Sequence, residues 1–312
     1  MLPVRRFLLL PLLLVLSLTA CAERQEDTPR DSADSSGFPV ELKPEGAPAV
    51  TLEERPERIV SLSPSATEVL YAVGAGDQVV AVDEMSTIPE QAPRTEMSGL
   101  NPDPQRIAAH DPDLVVVESD TDGKLADALA KTGTPTLVLR APETLDAMYA
   151  QFELVGKATG HASEGEDLAR RTKEEIEKLV ADAGNAGENL SYYHELDPSY
   201  YSVTSETFIG QIYGLFGLTN IADRDDPSAH GGYPQLSAET ILSADPDLVF
   251  LADTQCCGQT AETVAKRPGW DTLTAVREHR VIELQEDSAS RWTPRIVDFV
   301  RTVADGVAKV AD

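Results

Sequence analysis

Aromatic residues make up 5% of this 312-residue chain, yet Tyr192, Tyr193, Tyr200, Tyr201, Tyr233 and Trp292 gather in its second half. Such rings bury large apolar areas, and a tyrosine hydroxyl can bond a polar substituent, so the group has the chemistry to hold a broad, flat molecule. Core packing is the competing use of each ring, and it is the preferred one for Tyr201 and Tyr213. The five histidines, at 110, 161, 194, 230 and 279, lack close metal-ligand spacing. His194 and His230 could meet in a cleft and, with Glu195 or Asp253, hold zinc or manganese, or one of them could ligate haem iron, but surface or capping roles suit them better, so no metal is expected. Cys256 and Cys257 are adjacent. Neighbouring Cα atoms lie about 3.8 Å apart, so a bridge between the two would be strained, and two adjacent thiolates alone do not make a zinc site. A structural or cleft-lining role is expected for them. Enzyme signatures are absent: there is no Gly-x-Ser-x-Gly elbow, no phosphate-binding Gly-x4-Gly-Lys loop and no His-Glu-x-x-His pair. A nucleophile such as Ser63 or Ser205 would need His194 as its base, and nothing in the sequence orients that pair.

The elements that must position these residues are legible. Asp111-Pro112-Asp113-Leu114-Val115 recurs 134 positions later as Asp245-Pro246-Asp247-Leu248-Val249, each copy four residues after an isoleucine, Ile107 and Ile241. An apolar-periodic turn ends before proline, Asp-Pro-Asp supplies turn chemistry, and a continuous apolar run follows, as in a strand buried on both faces of a parallel sheet. Upstream, Leu70-Tyr71-Ala72-Val73-Gly74 and Ile212-Tyr213-Gly214-Leu215-Phe216-Gly217 match in the same order, which predicts two similar lobes. Strands are predicted at 58–62, 79–82, 114–118 and 136–139, separated by helices, giving an α/β fold of parallel βαβ units. Ser65-Ala66-Thr67-Glu68 reads as a capping box at a helix start. From Leu145 to about Ala183 there is no proline and apolar residues keep helical spacing, interrupted at Gly156, Gly160 and Gly165, which predicts one long helix with a break or two in succession. The expected domains are an N-terminal lobe over 53–142, a connector over 143–184 and a C-terminal lobe over 185–312. A final amphipathic helix is predicted over 293–310.

Residues 1–20 stand apart. Arg5 and Arg6 precede an apolar run from Phe7 to Leu18, too short to cross a bilayer and followed by small residues, the pattern of a signal peptide. Leu18-Thr19-Ala20-Cys21 resembles a bacterial lipobox, which implies acylation of Cys21 and a protein tethered on the outer face of the cell membrane. Residues 21–52, rich in Ser, Asp, Glu and Pro, are expected to be a disordered linker. The formal net charge is −27, and the signal segment contributes two of the 26 basic residues and none of the acids. Such a surface repels nucleic acid and anionic lipid, and says more about solubility than about a substrate.

Taken in order, Ile59-Val60-Ser61-Leu62-Ser63-Pro64-Ser65-Ala66-Thr67-Glu68, Val73-Gly74-Ala75-Gly76, Pro112-Asp113-Leu114-Val115, Gly217-Leu218-Thr219-Asn220-Ile221-Ala222, Ser237-Ala238-Glu239 and Pro246-Asp247-Leu248-Val249 resemble the periplasmic binding proteins of iron-siderophore, haem and vitamin B12 ABC importers. The resemblance spans about residues 56–310. It implies two Rossmann-like lobes with mainly parallel sheets, joined by a long rigid connector helix, with ligand held between them and no turnover. The partners it implies are ABC permease and ATPase subunits and a small-molecule metal chelate, with the protein acting as a monomer and needing no cofactor of its own.

Ligands of open α/β sheets sit beyond the carboxyl ends of the strands. By that rule the ligand-binding candidates are Ser63, Pro64, Glu84, Met85, Tyr192, Tyr193, His194, Ser205, Tyr233, Gln255, Arg291 and Trp292. Trp292 beside Arg291 resembles a position where cobalamin binders place an aromatic residue and an arginine, which favours a corrinoid over a ferric siderophore or haem. The resemblance also implies acidic docking residues on the lobe tops: Glu68 on the first, with Glu206 the nearest acid on the second, where the usual helix position is not acidic. An extracytoplasmic two-lobed hydrolase is the alternative from another class.

Overall fold

A computed structural model describes residues 37–224 and 229–311 of the chain. The expected signal segment and the lipidation residue Cys21 lie outside the described residues. The described chain opens with β1 (Val40–Leu42) paired antiparallel to β2 (Val50–Leu52). The expected disordered linker is therefore too long by at least this hairpin. Apolar residues alternate with polar ones in both segments, so Leu42 and Leu52 share an inward face and are buried.

The first lobe follows as β3 (Ile59–Leu62), α1 (Pro64–Ala72), β4 (Val79–Val82), α2 (Pro104–Ala108), β5 (Leu114–Val117), α3 (Lys124–Ala130) and β6 (Thr136–Val138). Its strands are all parallel, in the order β4-β3-β5-β6. The connector comes next as α4 (Leu145–Thr159) and α5 (Ala162–Ala183). The second lobe contains β7 (Ser191–Glu195), α6 (Phe208–Gly214), β8 (Thr219–Asn220), α7 (Ala238–Ala244), β9 (Leu248–Leu251), α8 (Thr254–Cys257), α9 (Ala261–Ala265), α10 (Thr274–Arg277) and β10 (Val281–Glu283), and the chain closes through α11 (Glu286–Ser290) and α12 (Ile296–Ala311). Its strands are parallel in the order β8-β7-β9-β10.

The two sheets share one topology. In each, the first strand of the lobe sits between the second and the third, with the fourth outermost on the far side. The repeated Asp-Pro-Asp enters the third strand of each lobe, β5 and β9, and both of those strands are buried along their whole length, as expected where helices cover both faces. The two copies match in conformation too. Asp111 and Asp245 both adopt the left-handed region, at φ 49° and 44°. The second aspartate of each copy then pins the neighbouring strand: Asp113 accepts the Glu57 and Arg58 amides at 2.7 and 2.9 Å, just before β3, and Asp247 accepts the Ser191 amide at 2.8 Å, at the start of β7. The motif is thus a clasp between adjacent strands as well as a turn.

The connector resolves into two helices, not one. Gly160, at φ 76°, ends α4, and α5 folds back along it, bringing Lys173 to 3.7 Å from Asp146. Close approach needs small residues at the crossing: a Cβ on Gly156 would come within 2.7 Å of the His161 carbonyl oxygen and 2.9 Å of the Gly165 Cα. The first helix packs on α1 and β1, the second on α12. Each lobe is therefore braced by a different arm of one helical hairpin. No helix among the described residues is long and apolar enough to cross a membrane.

One local expectation changes, and the state of the adjacent cysteines is seen. The cap of α1 is Ser63, whose Oγ accepts the Ala66 amide at 3.3 Å with Pro64 in the first turn, so Ser65 lies inside the helix and the expected Ser65–Glu68 capping box does not form. Cys256 and Cys257 are joined as a vicinal disulfide in the exposed turn α8.

Candidate functional site

A cleft of about 1240 Å³ opens at the carboxyl ends of the first-lobe strands. One wall comes from the residues following β3, β4 and β5, namely Pro64 and Ser65, Asp83 to Met85, and Glu118 to Asp122. A Pro- and Gly-containing loop, Ser98 to Pro104, adds a rim carrying Leu100, which is 91% exposed. The facing wall is short and belongs to α11 and the two residues after it: Asp287, Ser290, Arg291 and Trp292.

Pro64, Glu84, Met85, Arg291 and Trp292 thus meet around one cavity. Trp292 is half-buried and turns its ring edge-on to Phe208, with centroids 6.3 Å apart. Arg291 is held at 2.8 Å from Asp287 and 3.4 Å from Glu68. Asp83 is buried beneath the floor, where its Oδ1 accepts the Ser86 amide at 2.9 Å. Burial pushes the Asp83 carboxyl above its ordinary range, and Glu118 is raised by burial first and by the charge of Asp83 second. Gly99 has to be glycine here: a Cβ would sit 2.6 Å from both the Leu62 carbonyl oxygen and Asp83 Oδ2.

The second-lobe tyrosines do not reach this cavity, which corrects the expectation for Tyr192, Tyr193 and His194. All three are strand residues of β7 with no solvent exposure. Side chains alternate across a strand, and helices cover both faces of this sheet, so every one of them enters core. Tyr192 stacks on Tyr213 at 4.1 Å and accepts a hydrogen bond from the Asn220 amide at 2.8 Å. His194 Nδ1 lies 2.8 Å from the Tyr213 hydroxyl, and burial pushes its pKa down to about 3, leaving the ring neutral. It is a core group, not a base for Ser63 or Ser205.

Tyr193 donates to Glu195, which in turn grips Arg267 through two hydrogen bonds of 2.6 Å. Beside them Asp253 is fully buried, with no donor reaching either carboxylate oxygen. Burial, then the adjacent Glu195 charge, raises Asp253 to about 7. A protonated Asp253 has Glu195 as its acceptor.

The remaining candidates also lie off the cavity wall. Ser63 is 2% exposed and spent on capping α1. Ser205 is tied to Asp223 by its amide at 2.9 Å and by its hydroxyl. Tyr233 is a surface ring, 40% exposed, and Gln255 projects from the disulfide turn. Of the two docking acids, Glu206 is exposed, whereas Glu68 is 6% exposed and held between Arg291 and Arg295. A carboxylate so placed is not presented to a partner. Sequence reasoning missed the rim loop at 98–104 and the acidic stretch Glu118 to Asp122. The strand-end rule applied after β5 finds the second, and the turn residues Gly99, Asn101 and Pro102 beside Leu100 are the signal for the first.

Relatives and solved structures resemble the chain along most of its length. YvrC of Bacillus subtilis, an ABC transporter substrate-binding lipoprotein, is 28% identical over 293 residues, covering 89% of this chain and 90% of its own. A cobalamin-binding protein of Halobacterium salinarum is 28% identical over 284 residues, 88% of this chain and 76% of its own. In fold, the vitamin B12 binding protein BtuF of Vibrio cholerae superposes with a TM-score of 0.66 at 24% identity, over 82% of this chain and 98% of its own. The haem-binding protein RhuT of Roseiflexus does so with a TM-score of 0.69 at 23% identity, over 82% and 99%. The match to the Periplasmic binding protein family itself runs over residues 59–288, across both four-stranded sheets and into the start of α11, and the chain belongs to that family.

Proposed function

We propose that this chain is the extracytoplasmic substrate-binding lipoprotein of an ABC importer, anchored through Cys21. It captures a metal chelate in the interlobe cleft and delivers it to permease and ATPase subunits. A corrinoid is the favoured ligand. The observation that carries this reading is the cavity itself, about 1240 Å³ and walled by loops of both lobes with Trp292 on one side. Drug-sized ligand sites occupy roughly 300–1,000 Å³, so this volume suits a larger, macrocyclic guest. The cobalamin-binding relative and the lipoprotein relative point the same way. A ferric siderophore or haem is the second reading, supported by the haem-binding protein of like fold.

Binding, not turnover, is the task proposed. The histidine that a hydrolase would need is sealed in the core against Tyr213. Pro64, Glu84, Met85, Arg291 and Trp292 are the proposed contacts, and exposed Glu206 is the proposed docking acid. Calorimetry of the full chain against cyanocobalamin, ferric siderophores and haem tests the proposal. Cobalamin is expected to bind with a dissociation constant below about 1 μM, equivalent to roughly −8 kcal/mol, and weaker binding would remove the corrinoid from first place.

A further inference from the structure

The cavity wall is unevenly charged. Six carboxylates line it, Asp83, Glu84, Glu118, Asp120, Asp122 and Asp287, against two cations, Lys124 and Arg291. Both cations already have acidic partners: Lys124 pairs with Asp122, and Arg291 lies 2.8 Å from Asp287 and 3.4 Å from Glu68. Asp120 accepts the Leu125 and Ala126 amides at the start of α3. Asp83 and Glu118 have no cation within ion-pair distance; after burial, the charge of Asp83 raises Glu118 and that of Glu84 raises Asp83, with Arg291 offsetting part of the latter. Around these acids stand apolar groups. Of the five large hydrophobic side chains left exposed among the described residues, Met85 and Leu100 both lie on this one cavity, with Trp292 facing them. A wall of this kind suits a guest that has apolar edges and carries hydrogen-bond donors or positive charge.

We propose that the cleft selects large, partly apolar ligands of zero or positive net charge and rejects chelates that carry free carboxylates. The inference rests on the binding-protein reading above and narrows its ligand class. An anionic guest meets six carboxylates through a partly water-excluded space and finds each cation already paired, so repulsion is not offset. A neutral guest rimmed with amides offers N–H donors to the same acids, and a cationic chelate relieves the repulsion that runs through Glu84, Asp83 and Glu118.

A charge-matched ligand series tests this on the full chain by calorimetry. One set is aquacobalamin, cyanocobalamin and the cyanocobalamin monocarboxylate in which one propionamide is hydrolysed. The other is a cationic ferric trihydroxamate against ferric haem with its two propionates. In whichever class binds, the anionic member is expected to be weaker by about tenfold or more at low salt, with the gap shrinking as ionic strength rises. Glu84→Lys, at an exposed position, is expected to narrow the gap several-fold without lowering the melting temperature. An anionic member that binds as tightly as its neutral or cationic counterpart overturns the charge selection and leaves the binding function standing. If no member of either set binds, the binding-protein reading of this cavity fails and the inference fails with it.

Discussion

Arg295 grips Glu68 through both carboxylate oxygens, Nε to Oε2 at 2.8 Å and Nη2 to Oε1 at 2.7 Å, and so ties the first helix of the N-terminal lobe to the segment leading into α12. Arg291 shares the same carboxylate from the cleft side. The pair is an interlobe fastener and the anchor of a cleft-lining cation at once. Removing one partner of a buried pair strands the other charge, at about 3–5 kcal/mol where burial is complete. Arg295 retains 23% exposure, so about 2–3 kcal/mol is expected for Glu68→Gln. Thermal and urea melts measure the loss, and a double-mutant cycle with Arg295→Met should return a coupling above about 1 kcal/mol. Ligand affinity should fall with stability, since Arg291 loses its support. If Glu68→Gln left both untouched, the fastener assignment would be wrong.

Trp292 should report occupancy of the cleft. The chain has two tryptophans, and Trp270 is sealed in the second-lobe core, stacked on Tyr200. Ligand entering the cavity is expected to quench chiefly Trp292, so Trp292→Phe should remove most of the fluorescence change. Loss of ring area should also weaken binding several-fold, on the order of 1 kcal/mol. Quenching that survives the substitution would place the ligand elsewhere.

Gly99 is where the rim loop meets strand β3. An added methyl would press on the Leu62 carbonyl oxygen, which belongs to the sheet and cannot yield, and on Asp83. Gly99→Ala is expected to cost about 1–3 kcal/mol, seen as a lower melting temperature, and to reduce ligand affinity by moving the rim. Wild-type stability and affinity in this variant would contradict the tight approach.

Two buried groups pull stability in opposite directions with pH. His194 is held near 3 by burial against 6.5 unfolded, so the unfolded chain binds the extra proton between these values and stability falls as pH drops through that window. Asp253 is raised to about 7 against 3.8 unfolded, so the folded chain holds the extra proton. Its contribution is present in acid and lost as pH rises from about 4 to about 7. Asp253→Asn keeps a donor for Glu195 and removes the titration. Its stability relative to wild type, from urea melts across pH 4 to 8, should climb through that window and then level off. A pH-independent difference would show that Asp253 does not titrate there.

The sequence by itself determined the architecture. Apolar strands joined by helices dictated parallel sheets, and Asp-Pro-Asp-Leu-Val announced that the unit occurs twice, because turn chemistry and strand burial are local properties written in consecutive residues. The position of the cavity wall was half legible by the same logic, since a strand end is a place in the sequence: Pro64, Glu84 and Met85 arrive there from strand ends, and Arg291 and Trp292 from the residues after α11. Only the tertiary structure decided which polar and aromatic groups face it. Tyr192, Tyr193 and His194 read as cleft residues but lie on a strand covered on both faces, and that covering is supplied by distant segments. Glu68 read as an exposed docking acid, and its burial depends on Arg291 and Arg295, more than 220 residues away. Charge pairing across lobes follows from how the lobes meet, which no local pattern encodes.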